Sequence, residues 1–270
     1  MQYKLLVSDM DGTLLDSKDK ISKSTSDVIS RAMEKGLYFT FATGRSLIGI
    51  KTALKGSGLW PNAPIATFNG AKIINPDDET TLYERLLEKE TAVEILAFCK
   101  KLGAAAVVWS EGKLYISEEN ERTKHYSGKT GLEAILIQDE DELISRNISK
   151  IICQDEPEKI EYYITQLQGK LKGNVTFCTS SADFLEFFHS DASKGGATAY
   201  MAKRLGISPH EIIAVGDQRN DISMLKFAGL GVAMGNALDE LKAEADYIAP
   251  SNDEDGLAFV IEKFILRQTN

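Results

Sequence analysis

Cysteine and histidine are scarce in this chain of 270 residues, with three of each. The cysteines Cys99, Cys153 and Cys178 are widely separated, odd in number and free of any C-x-x-C pair, which argues against a disulfide framework and for reduced thiols in the cytoplasm. His125, His189 and His210 lack zinc-type spacing, so each reads as structural or exposed. No histidine stands in a recognisable arrangement with Ser8 or Ser46, which argues against a serine hydrolase. Apolar runs fall short of the ~20 residues a membrane helix needs. The N-terminus lacks a basic segment followed by an apolar stretch, so neither export nor a membrane partner is expected. Basic residues are not in excess either. The net charge of -9 repels nucleic acid over most of the surface and leaves an anionic ligand to local cations or a metal. Internal repeats and low-complexity tracts are absent as well.

What is present suits a globular chain of more than one domain, with 43% hydrophobic and 26% charged residues. The apolar run Leu5-Leu6-Val7 reads as a strand. Val28, Ile29, Ala32 and Met33 recur at helical spacing within 24–35 and stop at Gly36, and Leu37 to Ala42 reads as the next strand. A helix follows over 46–55, then a third strand from Ala63 to Phe68 that ends at Asn69-Gly70. Alternation of this kind implies right-handed crossovers and a parallel sheet.

From about Tyr83 the rhythm changes. Thr91 to Glu94 reads as a capping box opening a helix to Leu102, and Gly103 ends it. Strands are expected at 104–109, 114–117, 148–153, 175–178 and 184–188, with a helix over 157–171. Short links between them suggest an antiparallel sheet with helices on one face. The aromatics Trp109, Tyr115, Tyr126, Tyr162 and Tyr163 read as packing. Alternation returns with a helix carrying Ala197, Met201 and Leu205, strands at 212–215, 230–234 and 247–249, and a closing helix over 257–266. Ser251 to Gly256 reads as a solvated loop and helix start. The expected fold class is α/β: a Rossmann-like core at 1–83 and 190–270, with an inserted α+β cap at 84–189.

The polar residues gather where the core strands end. Leu5-Leu6-Val7 leads into Asp9-Met10-Asp11-Gly12-Thr13, in which Asp9 and Asp11 share one face of an extended segment and Gly12 lets the chain turn. Two acids that close favour either a cation between them or a proton on one. A plain Asp-Gly turn with solvated carboxylates is the other reading of this segment. Further clusters are Thr43-Gly44-Arg45, Lys194-Gly195-Gly196, and Gly216-Asp217 with Asn220-Asp221. In an open α/β sheet such loops meet beyond the carboxyl ends of the strands.

These four motifs, in this order and with Gly235-Asn236-Ala237 near the end, resemble the haloacid dehalogenase superfamily, in particular its Cof-type phosphatases with a mobile cap. The resemblance spans nearly the whole chain, and its diagnostic residues all lie outside the middle third. One departure is Thr198 in Lys194-Gly195-Gly196-Ala197-Thr198, where the family often has leucine. The resemblance implies that Asp9 is the nucleophile and that Asp11 donates a proton to the leaving group and later accepts one from water. It implies Mg²⁺ held by Asp9, Asp217 and the backbone carbonyl of Asp11, with Asp221 in its outer shell. Thr43, Lys194, Asn220 and the backbone amides of Met10 and Gly44 are the expected phosphate donors. Arg45 is open to two readings, a second anion contact or a surface arginine. Asn69 is open too, as a residue facing the cap or as a plain Asn-Gly turn.

The expected activity is Mg²⁺-dependent hydrolysis of a small organophosphate, such as a sugar phosphate or a phosphorylated cofactor or nucleotide precursor, through an aspartyl-phosphate. The partner is the small-molecule ester, and the chain is expected to be a monomer or a weak homo-oligomer. The alternatives are a phosphomutase or phosphotransferase on the same fold and, from another class, a phospho-accepting regulatory protein.

Overall fold

The computed structural model describes residues 2–167 and 171–267. The chain divides into two compact units, one made of Met1–Gly44, Ala53–Tyr83 and Ser193–Asn270 and the other of Arg45–Thr52 and Glu84–Ala192. Residues 45–52, expected in the core, therefore group with the insert.

The first unit is built on a five-stranded parallel sheet in the order Tyr247–Ile248, Leu230–Ala233, Ile212–Gly216, Leu5–Ser8, Tyr38–Phe41. Leu5, Leu6, Val7, Ile213 and Val215 are fully buried, which is why these strands read as continuous apolar runs rather than as alternation. From Leu5–Ser8 the chain crosses to Tyr38–Phe41 on one side, and the later strands add on the other. That order places a topological switch point at the carboxyl end of Leu5–Ser8, where ligands of open α/β sheets bind. Helix Lys23–Glu34 starts at Ser22, whose side chain accepts from the Thr25 amide at 3.0 Å.

Three differences from the sequence reading lie in this unit. The strand Ile65–Thr67 does not join the parallel sheet as a regular member. It pairs antiparallel with Lys72–Ile74 in a separate three-stranded sheet and touches the main one through the Ala42–Ala66 bridge. Asn69-Gly70 is a reversal that makes a hairpin. The acidic loop 251–256 is also more than solvated turn, because Asp253 accepts from the Ser17 amide at 2.8 Å and Asp255 accepts from Ser22 Oγ at 2.5 Å. The closing helix runs over Gly256–Ile261 and continues as a wider turn over Glu262–Leu266.

The second unit holds a six-stranded sheet in the order Val175–Ser181, Phe184–His189, Ile148–Gln154, Ala105–Ser110, Lys113–Ile116, Ala134–Leu136. It is antiparallel except for the last pair. Helices Lys89–Leu102 and Pro157–Leu167 supply Ile95, Cys99, Ile160 and Tyr163 to an apolar core with Val108, Ile151, Cys153 and Phe187. The opposite face carries a buried ion pair, Lys150 Nζ to Glu186 Oε1 and Oε2 at 3.1 Å each. Helix Lys89–Leu102 begins two residues before Thr91, which is buried inside it; the expected capping box is therefore absent, and Glu88 occupies the N-cap without a side-chain bond. The end of the helix expected over 157–171 falls partly on Gln168, Gly169 and Lys170, which lie outside the described residues. The aromatics do pack, with Trp109 Nε1 donating to the Tyr126 hydroxyl at 2.9 Å, but Tyr162 is exposed. Among the described residues no helix is long and apolar enough to cross a membrane.

Candidate active site

Asp9 directly follows the strand Leu5–Ser8, and its amide donates to the Val215 carbonyl of the neighbouring strand at 2.9 Å. The chain then turns, with the Leu15 amide reaching the Met10 carbonyl at 2.9 Å and Gly12 left-handed at φ 73°. Gly12 is required twice, because a Cβ there would stand 2.4 Å from Asp217 Oδ2. The two acids expected side by side differ in burial. Asp9 is buried while Asp11 is exposed, although the Asp11 charge still reaches Asp9.

Asp9, Asp217 and Asp221 offer carboxylate oxygens within 4.8 Å of one another, and all three are buried. They come from the ends of two adjacent strands, Leu5–Ser8 and Ile212–Gly216. Lys194, 1% exposed at the start of helix Lys194–Leu205, places its Nζ 2.8 Å from Asp9 Oδ1 and 2.5 Å from Asp221 Oδ1. A cation at a helix N-terminus is ordinarily disfavoured by the helix dipole, and here two carboxylates offset that placement. They hold the ammonium protonated well above the ordinary lysine range.

The three acids play different parts. Asp221 has both oxygens engaged: Oδ1 by Lys194, and Oδ2 by the amides of Asp217 and Gln218 at 2.9 Å each. It fixes the loop and the lysine. Asp217 accepts from Thr13 Oγ1 at 2.9 Å and from Gln218 Nε2 at 2.8 Å, one bond on each oxygen. Burial and the neighbouring Asp221 nonetheless push its carboxyl up to about 6. Burial raises Asp9 as well, against the pull of Lys194, because Asp221, Asp217 and Asp11 add negative charge nearby. Three buried carboxylates against one ammonium is a donor set that a hard divalent cation fits, since it takes oxygen ligands and supplies the missing positive charge. Asp9 and Asp217 are the acids with oxygens to offer it; the Asp11 carboxylate is not part of the cluster.

The other expected residues are distributed as follows. Thr43 is buried just past the strand Tyr38–Phe41, with its amide on the Ala66 carbonyl at 3.0 Å. The Ala42 amide donates to the Ser8 carbonyl at 3.1 Å, so Thr43 and Asp9 lie at the same edge of the sheet. Met10 is buried in the turn. Asn220 donates its amide to Asn69 Oδ1 at 3.0 Å. Arg45 belongs to the second unit, where its Nη1 donates to the Gly49 carbonyl at 3.5 Å. His125 and His210 are exposed, and His189 Nδ1 accepts from the Asp191 amide at 3.1 Å, so the histidines are structural or exposed as expected.

Sequence reasoning missed Thr13 and Gln218, which orient Asp217, and Asn236, whose Nδ2 donates to the Gly12 carbonyl at 2.8 Å. Each sits inside a segment already singled out. The Thr13 and Asn236 bonds join segments 204 and 224 residues apart, which no local pattern displays, whereas Gln218 bonds to its own neighbour Asp217.

Comparison with known proteins bears on the family of the chain. A family profile described as haloacid dehalogenase-like hydrolase matches residues 6–261. A putative phosphatase of Haemophilus influenzae is 35% identical over 267 residues, covering 97% of this chain and 98% of the relative. A Bacillus subtilis protein named 5-amino-6-(5-phospho-D-ribitylamino)uracil phosphatase is 32% identical, covering 98% of this chain and 97% of its own length. Among solved structures, a subclass IIB sugar phosphatase of the same superfamily superposes with a TM-score of 0.83 at 26% identity, covering 97% of this chain and 98% of that one. The regulatory-protein alternative falls with these matches, and the chain belongs to the haloacid dehalogenase-like hydrolases, alongside relatives named as phosphatases.

Proposed function

We propose that this protein is a magnesium-dependent phosphatase that hydrolyses a small phosphomonoester through an aspartyl-phosphate on Asp9. The observation that carries the reading is the buried trio Asp9, Asp217 and Asp221 with Lys194 bonded to two of its members. Asp9, Asp217 and the Asp11 carbonyl would hold the metal, which would neutralise carboxylate charge and favour an anionic ester beside them.

Asp9 attacks phosphorus, forming a carboxyl–phosphate bond as the ester's P–O bond breaks. The departing oxygen takes a proton from Asp11, whose exposed position leaves it reachable by substrate and water. Asp11 then accepts a proton from water as that water attacks phosphorus, releasing inorganic phosphate and restoring the Asp9 carboxylate. Lys194 keeps Asp9 oriented through its 2.8 Å contact and supplies positive charge for the phosphoryl oxygens. The hydroxyl of Thr43, the backbone amides of Met10 and Gly44 and the amide of Asn220 complete the phosphate donors, and Arg45 is left to a second anionic group.

The substrate class follows from what the two named relatives share. A sugar phosphate and a phosphoribityl compound are both phosphomonoesters on a hydroxylated carbon chain. A primary or secondary phosphate of such a chain is the proposed substrate, and the second unit is proposed to select among them. The test is phosphate release from a panel of polyol, sugar and nucleotide monophosphates. Release in Mg²⁺ that is abolished by chelation and poorly supported by Ca²⁺, whose larger coordination number suits bidentate binding of Asp9, supports the reading. Undiminished hydrolysis after exhaustive chelation contradicts it.

A further inference from the structure

Away from the carboxylate cluster, the turn Phe68–Gly70 has unusual backbone for non-glycine residues. Its three residues take φ of 51°, 57° and 93° in succession. Left-handed backbone is rare for side chains larger than glycine and persists where the surroundings over-determine it. Here the surroundings are segments of the active site. The Asn69 amide donates to the Thr43 carbonyl at 2.9 Å, and Asn69 Oδ1 accepts from Asn220 Nδ2 at 3.0 Å. Gly70 abuts the residue before Lys194, where a Cβ would stand 2.3 Å from the Ser193 carbonyl oxygen. Gly44 lies against the same amide, so that a Cβ there would be 3.2 Å from Asn69 Oδ1. A single turn, with Asn69 only 1% exposed, therefore touches three of the segments assigned to phosphate.

The consequence falls on Asn220. Its side chain presents two N–H groups and one oxygen, and an acceptor opposite one end decides which way round the amide sits. With Asn69 Oδ1 at 3.0 Å, the reverse orientation sets oxygen against oxygen. One N–H is thus committed to Asn69 and the other is left to point elsewhere. Asn220 Oδ1 is buried with no partner among the described residues. A buried acceptor without a donor is costly and marks a site completed by something that binds.

We infer that Asn69 is a positioning residue of the phosphoryl-transfer site. It holds the Asn220 amide so that its second N–H meets the phosphoryl oxygens, and it leaves Oδ1 to accept from a substrate hydroxyl or a bound water. The inference rests on the phosphatase reading for the identity of the bound group. The bond to Asn69 itself does not depend on that reading.

A double-mutant cycle separates positioning from simple support of the fold. Asn69→Gly keeps the left-handed backbone and removes only the side chain. Asn220→Ala removes the group it orients. Loss of one neutral hydrogen bond predicts a roughly two- to tenfold fall in kcat/KM for Asn69→Gly. In the Asn220→Ala background the same change is expected to have little further effect. Equal losses in both backgrounds, or a wild-type rate in Asn69→Gly, overturn the inference. Repeating the cycle on the affinity for inorganic phosphate in Mg²⁺, by calorimetry, needs no turnover. Coupled phosphate binding with no ester hydrolysed refutes the phosphatase reading and leaves the Asn69 assignment standing. If Asn69→Gly does not fold, Asn69→Asp retains an acceptor and tolerates the left-handed backbone while adding negative charge beside Asn220. Phosphate affinity should then fall, and an unchanged affinity overturns the inference.

Discussion

Competition between metal and protons at the carboxylate cluster yields a prediction with a definite sign and size. Asp217 is raised from 3.8 to about 6, first by burial and then by the charge of Asp221. A metal ligand must give up its proton, so acid competes with the ion. For one competing proton of pKa about 6, the ionised fraction of Asp217, and with it Mg²⁺ affinity, falls about tenfold between about pH 7 and about pH 5. Asp9 is raised too, so the measured fall should be at least this steep. Folding stability without metal should move the opposite way. The folded chain binds more protons than the unfolded one between 3.8 and about 6 at Asp217, so the metal-free protein gains stability as pH drops through that window. Mg²⁺ titrations by calorimetry across this range, in buffers of different ionisation enthalpy, count the protons released. Thermal melts in chelator supply the second trend. An affinity flat from about pH 7 to about pH 5, with no proton release, refutes the assignment of Asp217 and Asp9 to the metal.

Three further outcomes are expected. Asp9→Asn should abolish both turnover and the covalent phosphoenzyme, whereas Asp11→Asn should still form phosphoenzyme from an activated ester such as p-nitrophenyl phosphate; mass spectrometry of quenched enzyme distinguishes them, and turnover by Asp9→Asn without deamidation sinks the nucleophile. Lys194→Met leaves Asp9 and Asp221 without their buried cation, which should cost about 3 kcal/mol in urea unfolding at neutral pH and lower kcat by about a hundredfold or more; a stability loss that does not shrink on acidification, where Asp9 can take up a proton, contradicts the electrostatic cause. Replacing 84–189 with the matching segment of a relative that prefers another ester should reorder natural substrates by kcat/KM and spare p-nitrophenyl phosphate, and an unchanged order removes the second unit from specificity.

Much of this was legible in the sequence because the relevant physics is local. A strand buried on both faces must be continuously apolar, and Leu5-Leu6-Val7 and Ile212 to Val215 are, so parallel neighbours could be read from composition and alternation alone. Residue types that are costly to bury, such as Asp9, Asp217, Asp221 and Lys194, were conspicuous where those runs end. Tertiary structure decided what depends on meeting partners. It sent Ile65–Thr67 into a separate hairpin, because Asn69-Gly70 reverses the chain and antiparallel pairing with Lys72–Ile74 competes with extension of the main sheet. It left Asp11 exposed while burying Asp9, a difference that period-two alternation does not anticipate. It grouped Arg45 with the second unit. It also showed that Asp221 spends both oxygens on Lys194 and two amides, and that Asn69 bonds to Asn220 across 151 residues of sequence. Periodicity records which face of an element is buried; which residue meets which is set only when distant elements pack, and that is where the division of labour among the acids arises.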